Sequence, residues 1–277
     1  NQEPQNWLTY SGNLNSQRFS GLTQISPANA ANLTLQWVFQ SRSLDKHEVT
    51  PLVVDGVMYT VQSPNDIIAL DAATGKTIWT YTHKPAEGTR NPCCGNLTRG
   101  VAILGDKLFL AALDAKMIAI DAKTGKELWN TTVADYKQQY AMTVAPIVVK
   151  DKVITGIAGG EHGVRGFIAA YDINTGKQVW KFWTVPAPNE PGGNTWSGDS
   201  YLHGGAPIWV TGSYDADTNL TYWGTGNAGP DWDGDARLGD NLYSSSVIAL
   251  NVDTGKLAWH YQFSPHNEFD WDATQVP

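Results

Sequence analysis

Two cysteines stand side by side, Cys93-Cys94, and they are the only ones in the chain. Adjacent positions build neither a Cys-x-x-Cys zinc pair nor a Cys-x-x-Cys-His haem attachment. Two readings stay open: a strained eight-membered disulfide ring that would persist in an oxidising compartment, or two unconnected buried thiols. Acidic residues offer a second chemistry. Asp231-Trp-Asp233-Gly-Asp235 opens like a calcium loop, but Ala236 stands where the EF-hand glycine belongs and Leu242 where its glutamate belongs. It reads as a loop, at or near the mouth of a site. Taken alone, Glu161 reads as a surface carboxylate and Asp270-x-Asp272 as part of an exposed loop. The 6 histidines lack metal-ligand spacing, and the Asn-x-Thr sequons at Asn32, Asn96, Asn130 and Asn219 are uninformative.

Whatever positions these groups must be read from the rest of the chain. Its 277 residues suffice for one large domain or two ordinary ones. A net charge of −8, with 19 Lys+Arg against 27 Asp+Glu, argues against a nucleic-acid backbone as partner. Mean hydropathy is −0.31, with no apolar run of the about 18 residues that a membrane span needs. No basic-plus-apolar leader stands at Asn1, so any secretion signal is expected to have been removed or not recorded. Tryptophan is abundant, with 12 copies.

Self-similarity accounts for five of the tryptophans. One phrase recurs: Ala-Leu-Asp71-Ala-Ala-Thr74-Gly75-Lys76-Thr-Ile-Trp79, then the same frame around Asp121, Gly125 and Trp129, around Asp172, Gly176 and Trp180, and around Asn251, Gly255 and Trp259. A degenerate copy, Ala-Asn-Leu33-Thr-Leu-Gln-Trp37, stands in front. The tryptophans are 42, 50, 51 and 79 residues apart, and the last interval holds an insertion. Asp-x-x-Thr-Gly-Lys is turn chemistry in which glycine supplies a positive φ. Apolar strands flank each turn and further strand pairs precede it, as at Pro51-Leu-Val-Val and Val57-Met-Tyr-Thr-Val. About four short strands per repeat of roughly 40–50 residues is the arithmetic of a β-propeller blade. A tryptophan at fixed offset is expected to dock against the neighbouring blade. The turn-rich stretch Pro186–Trp196 inside the insertion is expected to carry function.

With these residues in hand, the chain resembles the quinoprotein alcohol dehydrogenases. The likeness rests on the tryptophan blades, the adjacent cysteines followed by Arg99, Gly160-Glu161-His162-Gly163-Val164-Arg165-Gly166, Tyr222-Trp223-Gly224-Thr225-Gly226-Asn227, and Asp270-Trp271-Asp272. It implies an all-β, eight-bladed propeller. Residues 1–277 would supply roughly its first four to five blades, as the N-terminal portion of a single catalytic domain. The remaining blades would be a partner in their own right. The resemblance further implies a periplasmic enzyme that oxidises primary alcohols to aldehydes with pyrroloquinoline quinone and a metal ion, passing electrons to a cytochrome c. A non-catalytic propeller scaffold is the alternative.

The resemblance also assigns roles. Glu161, Asn227 and Asp270 match the metal ligands, and Asp270 matches the general base that takes the hydroxyl proton while hydride passes to the metal-polarised quinone. The acidic Asp272 matches the pattern of lanthanide-dependent members, so a lanthanide is expected over Ca²⁺. Trp209 matches the floor beneath the quinone, and Cys93-Cys94, as a disulfide, its opposite wall. Glu48, Arg99 and Thr143 match residues that hydrogen-bond the cofactor's edge. Ala158 stands where the family often has a polar serine. His203 and His266 are expected near the site without being ligands.

Overall fold

In the computed structural model, which describes residues 3–277, the apolar runs pair into four four-stranded sheets in chain order. The first holds β1 (Leu52–Val54), β2 (Val57–Gln62), β3 (Asp66–Asp71) and β4 (Thr77–Thr82). The second holds β5 (Val101–Leu104), β6 (Lys107–Ala112), β7 (Lys116–Asp121) and β8 (Glu127–Thr132). The third holds β9 (Ile147–Val149), β10 (Lys152–Gly156), β11 (Phe167–Asp172) and β12 (Gln178–Trp183). The fourth holds β13 (Ser213–Asp215), β14 (Leu220–Gly224), β15 (Ser246–Asn251) and β16 (Leu257–Gln262). Each sheet is an antiparallel meander in which every strand pairs with its neighbours in sequence. The helical segments are short 3₁₀ turns, and no helix among the described residues is long and apolar enough to cross a membrane.

Central strands are covered on both faces and read as unbroken apolar runs, as in β6, where Leu108 to Ala112 are all buried. Outer strands β4 and β8 alternate between exposed and half-buried positions. The cores cross sheet boundaries: one cluster joins Phe109 of β6, Val153 of β10 and Ile248 of β15. Sheets packed face to face in series make these the blades of a partial propeller.

The recurring phrase fastens each blade to the next. The carboxylate of Asp71 accepts from the backbone and the hydroxyl of Thr74, and Asp121 and Asp172 do the same with Thr124 and Thr175. Gly125 turns the chain at φ +70°, and a Cβ there would lie 2.7 Å from the Trp79 ring. The indole N–H groups of Trp37, Trp79, Trp129 and Trp180 donate to the carbonyls of Ala72, Ala122, Ile173 and Val252, each in the following repeat. The tryptophans therefore dock between repeats, as expected. The front copy differs from the expectation of a further blade. Residues 33–37 form no strand, and Trp37 alone takes up the docking position on the first blade.

A meander sorts its connections by end. The β1–β2 and β3–β4 turns of every blade lie at one end, and the β2–β3 turns and blade-to-blade links lie at the other. The first end carries short repeated turns. Every residue singled out above for site chemistry lies at the second.

Candidate functional site

Loops at that second end enclose a cavity of about 290 Å³. The β4–β5 link supplies Cys93, Cys94 and Arg99, the β8–β9 link Thr143, and the β12–β13 link Trp209. Glu161 comes from the β10–β11 connection, Asn227 and Asp231 from the β14–β15 connection, and Asp270 and Asp272 from the segment after β16. All but one of the expected site residues thus share one cavity, drawn from positions as far apart in sequence as Cys93 and Asp272. Glu48 is the exception. It does not line the cavity but binds Nη2 of Arg99 at 2.8 Å from behind.

Local structure explains how each group is held. Glu161 sits in a 3₁₀ turn, Gly160–His162, bracketed by Gly159 and Gly163 in the left-handed region. Its Oε1 accepts the backbone N–H of Cys93 at 2.5 Å, tying it to the cysteine wall. Gly226 is glycine for a steric reason, since a Cβ would lie 2.6 Å from Oδ1 of Asp272. That same oxygen accepts the backbone N–H of Asn227 at 2.9 Å. Asp270 itself adopts φ +57°, and Asn267 braces its loop by accepting from Phe269 N and donating to the Trp271 carbonyl. Behind both loops lies the fully buried Arg237, whose guanidinium grips the carbonyls of Pro230, Asp231 and Asn267 and the side chain of Asn241.

One wall is cationic and flat. The Arg99 guanidinium lies 4.6 Å from the Trp209 ring centroid and donates to Thr143 Oγ1 at 3.0 Å and the Trp209 carbonyl at 3.2 Å. Burial lowers its pKa, opposed chiefly by the charge of Glu48. The acidic side behaves in the reverse sense. Burial raises Asp270, and the charges of Asp231 and Glu161 raise it further. Asp272 is pushed up to about 6, first by burial and then by Asp270, against the hydrogen bonds it accepts from Asn227 and Trp209. Among the described residues, no three acidic, His or Cys side chains close on one point tightly enough to hold an ion unaided. The protein offers oxygen donors that fit a hard cation, in an incomplete shell.

Cys93 and Cys94 stand as exposed thiols, which overturns the reading of two buried ones. Partial desolvation, a hydrogen bond with Cys94 and the charges of Glu161 and Asp270 push the Cys93 thiol up to about 12. Ala158 is on the cavity wall, so the departure from a serine falls within the site. The histidines lie outside it: His203 Nδ1 meets the Gly163 carbonyl at 2.9 Å and His266 Nδ1 that of Gly239 at 2.8 Å. The stretch 186–196 does not line the cavity either. It packs Trp196 against Val185, Ala206 and Ala228, and so backs the strand end that carries Asn227. Asp231 opens the acidic segment read as a loop at the mouth of a site, and it does line the cavity. Arg237, four residues before Asn241 and just after that segment, has no sequence signal of its own.

Comparison with known proteins gives a consistent picture. Residues 7–277 match the family described as PQQ, glucose/ethanol/alcohol dehydrogenase, beta-propeller domain. The quinohemoprotein alcohol dehydrogenase ADH IIB of Pseudomonas putida is 45 % identical over 97 % of this chain. The lanthanide-dependent methanol dehydrogenase of Methylacidiphilum fumariolicum is 38 % identical over 98 % of it. Among solved structures, a europium-containing methanol dehydrogenase superposes with a TM-score of 0.93 at 38 % identity, over 98 % of this chain and 51 % of its own. The chain spans 41 % and 48 % of the length of the two relatives.

Proposed function

Because the chain belongs to the PQQ-type β-propeller family of glucose, ethanol and alcohol dehydrogenases, we propose that the whole protein oxidises primary alcohols to aldehydes at the loop-end cavity. The observation that carries this reading is the meeting, in one cavity, of an acidic oxygen set, an arginine stacked on an indole, and a cysteine pair. A scaffold built from the same repeats needs the docking tryptophans but has no use for that combination.

The residues divide the work as follows. Glu161, Asn227, Asp270 and Asp272 would hold one metal ion through oxygen, with ligand oxygens completing a shell that the protein leaves open. Trp209 would floor a flat cofactor, while Arg99, oriented by Glu48 and Thr143, presents a forked donor to a carboxylate on its edge. The Cys93-Cys94 pair would close the opposite wall, joined as a disulfide in an oxidising periplasm. Bound pyrroloquinoline quinone supplies the two-electron acceptor and the metal ion the Lewis acid beside it. Asp270 takes the alcohol's hydroxyl proton as the C–H bond gives up its electron pair. Electrons would then leave to a cytochrome c. An acidic Asp272 adds negative charge where a trivalent lanthanide gains more from it than Ca²⁺ does.

Replacing Asp270 tests the assignment. In the full-length protein loaded with quinone and metal, Asp270→Ala should lower dye-linked alcohol oxidation by about 10²–10⁴-fold with the fold intact. Retained turnover would remove Asp270 from the chemistry. A purified wild-type protein that takes up neither quinone nor metal would favour the scaffold. Full turnover with Ca²⁺ alone would overturn the lanthanide preference.

A further inference from the structure

The amide of Asn227 is held by a partner outside the set assigned above. Its Nδ2 donates to Asp231 Oδ1 at 2.7 Å and to the Ala228 carbonyl at 3.2 Å. Both amide hydrogens are therefore engaged on protein acceptors. Oδ1 accepts no hydrogen bond among the described residues, although Asn227 is almost fully buried and lines the cavity. Asp231 is itself anchored, because Arg237 donates to the carbonyls of Pro230 at 2.9 Å and Asp231 at 3.1 Å.

An amide has one end that a cation accepts and one that it repels, and the two are nearly equal in size. Whichever neighbour captures the nitrogen decides which end a cation meets. A carboxylate is the strongest such neighbour at hand, since its bond to N–H is charge-assisted. We propose that Asp231 is a positioning residue that captures Nδ2 of Asn227 and so commits the amide oxygen to a cation in the cavity. The inference rests on reading the cavity as a cation site, and it gives Asp231 a role through Asn227, with no ligand bond of its own.

A double-mutant cycle read by metal binding separates these claims. The probe is Tb³⁺ alone, titrated by sensitised luminescence into the full-length protein stripped of metal, with thermal midpoints to verify folding. Asp231→Ala should weaken Tb³⁺ binding about 10–100-fold, the usual cost of losing a group that orients a ligand. Asp231→Asn, whose side-chain oxygen still accepts from Nδ2, should restore most of the affinity. In an Asn227→Ala background, Asp231→Ala should cost nothing further, because the group it orients is gone. Additive losses, or an Asp231→Asn variant as weak as Asp231→Ala, would make Asp231 a source of charge or a ligand and overturn the proposal. Unchanged affinity in Asp231→Ala alone would overturn it too, leaving the cation site standing. A wild-type protein that binds no Tb³⁺, or an Asn227→Ala variant that binds it normally, would bring down the reading of the site and the positioning role together.

Discussion

At the turn end of the sheets, Asp71, Asp121 and Asp172 each accept from the backbone and hydroxyl of a threonine three residues on, and those bonds hold their carboxyls below the usual range. At the loop end of the same sheets, burial and neighbouring carboxylates push Asp270 and Asp272 above it. One residue type thus meets opposite fates at the two ends of the sheets. The turn-end aspartates spend their charge on local donors and act as caps. The loop-end aspartates face one another and further carboxylates across a shared cavity, and for both the shift runs upward. Like charges gathered in one cavity are the arrangement from which a multivalent ligand gains most.

The sharpest way to break this contrast is to cut the support behind the loops. Arg237 is fully buried and holds three backbone carbonyls across the segments that carry Asp231 and Asp270. Arg237→Ala leaves three carbonyls without their donor, at about 1–3 kcal/mol for each buried unsatisfied group, and should destabilise the full-length protein by about 3 kcal/mol or more. Urea unfolding measures it, and a loss near the surface-mutation range would show that the loops hold themselves. The turn end should yield less. Gly125→Ala adds a Cβ 2.7 Å from the Trp79 ring at φ +70°, whereas Gly105→Ala at φ +58° meets no atom within 4 Å. Overpacking costs about 1–3 kcal/mol, so Gly125→Ala should lower the unfolding midpoint clearly more than Gly105→Ala. Equal shifts would mean that the docking contact contributes nothing beyond backbone strain.

The same contrast governs how much could be read from sequence. The blades were legible because each repeat writes its turn, its glycine and its tryptophan at fixed spacing, and local rules suffice for that. Nine cavity residues were legible through motif resemblance, not from their own neighbourhoods: Glu161 and Asp270 are exposed acids, and only the distant loops that share their cavity mark them out. Asp231 was legible as part of a loop at the mouth of a site, but its bond to an amide partner was not. Arg237 was missed because a fully buried arginine is rare, and only the fold reveals the carbonyls it serves. The stretch 186–196 packs behind the cavity and does not line it. Its turn residues announced a loop but said nothing of Trp196, which turns it into packing.

Next in size is the docking hydrogen bond. Trp79→Phe keeps an aromatic ring against Gly125 but removes the indole N–H that serves the Ala122 carbonyl at 3.1 Å. The expected cost is about 1 kcal/mol, visible as a small drop in thermal midpoint.

The smallest effect concerns the caps, and its sign is fixed by the direction of the shift. Asp121 is depressed in the folded protein, chiefly by the Thr124 hydroxyl and backbone. The folded state therefore binds its proton less readily than the unfolded chain does. Its contribution is present above the ordinary carboxylate value and is lost as pH falls through the depressed one. Asn251 already performs the same cap without a charge, accepting from the backbone and hydroxyl of Thr254. Asp121→Asn should thus keep the turn and change neutral-pH stability little, while removing one titration from the acid limb of an unfolding-midpoint profile. If the acid limb is unchanged, the turn-end carboxylate carries no charge-dependent stability.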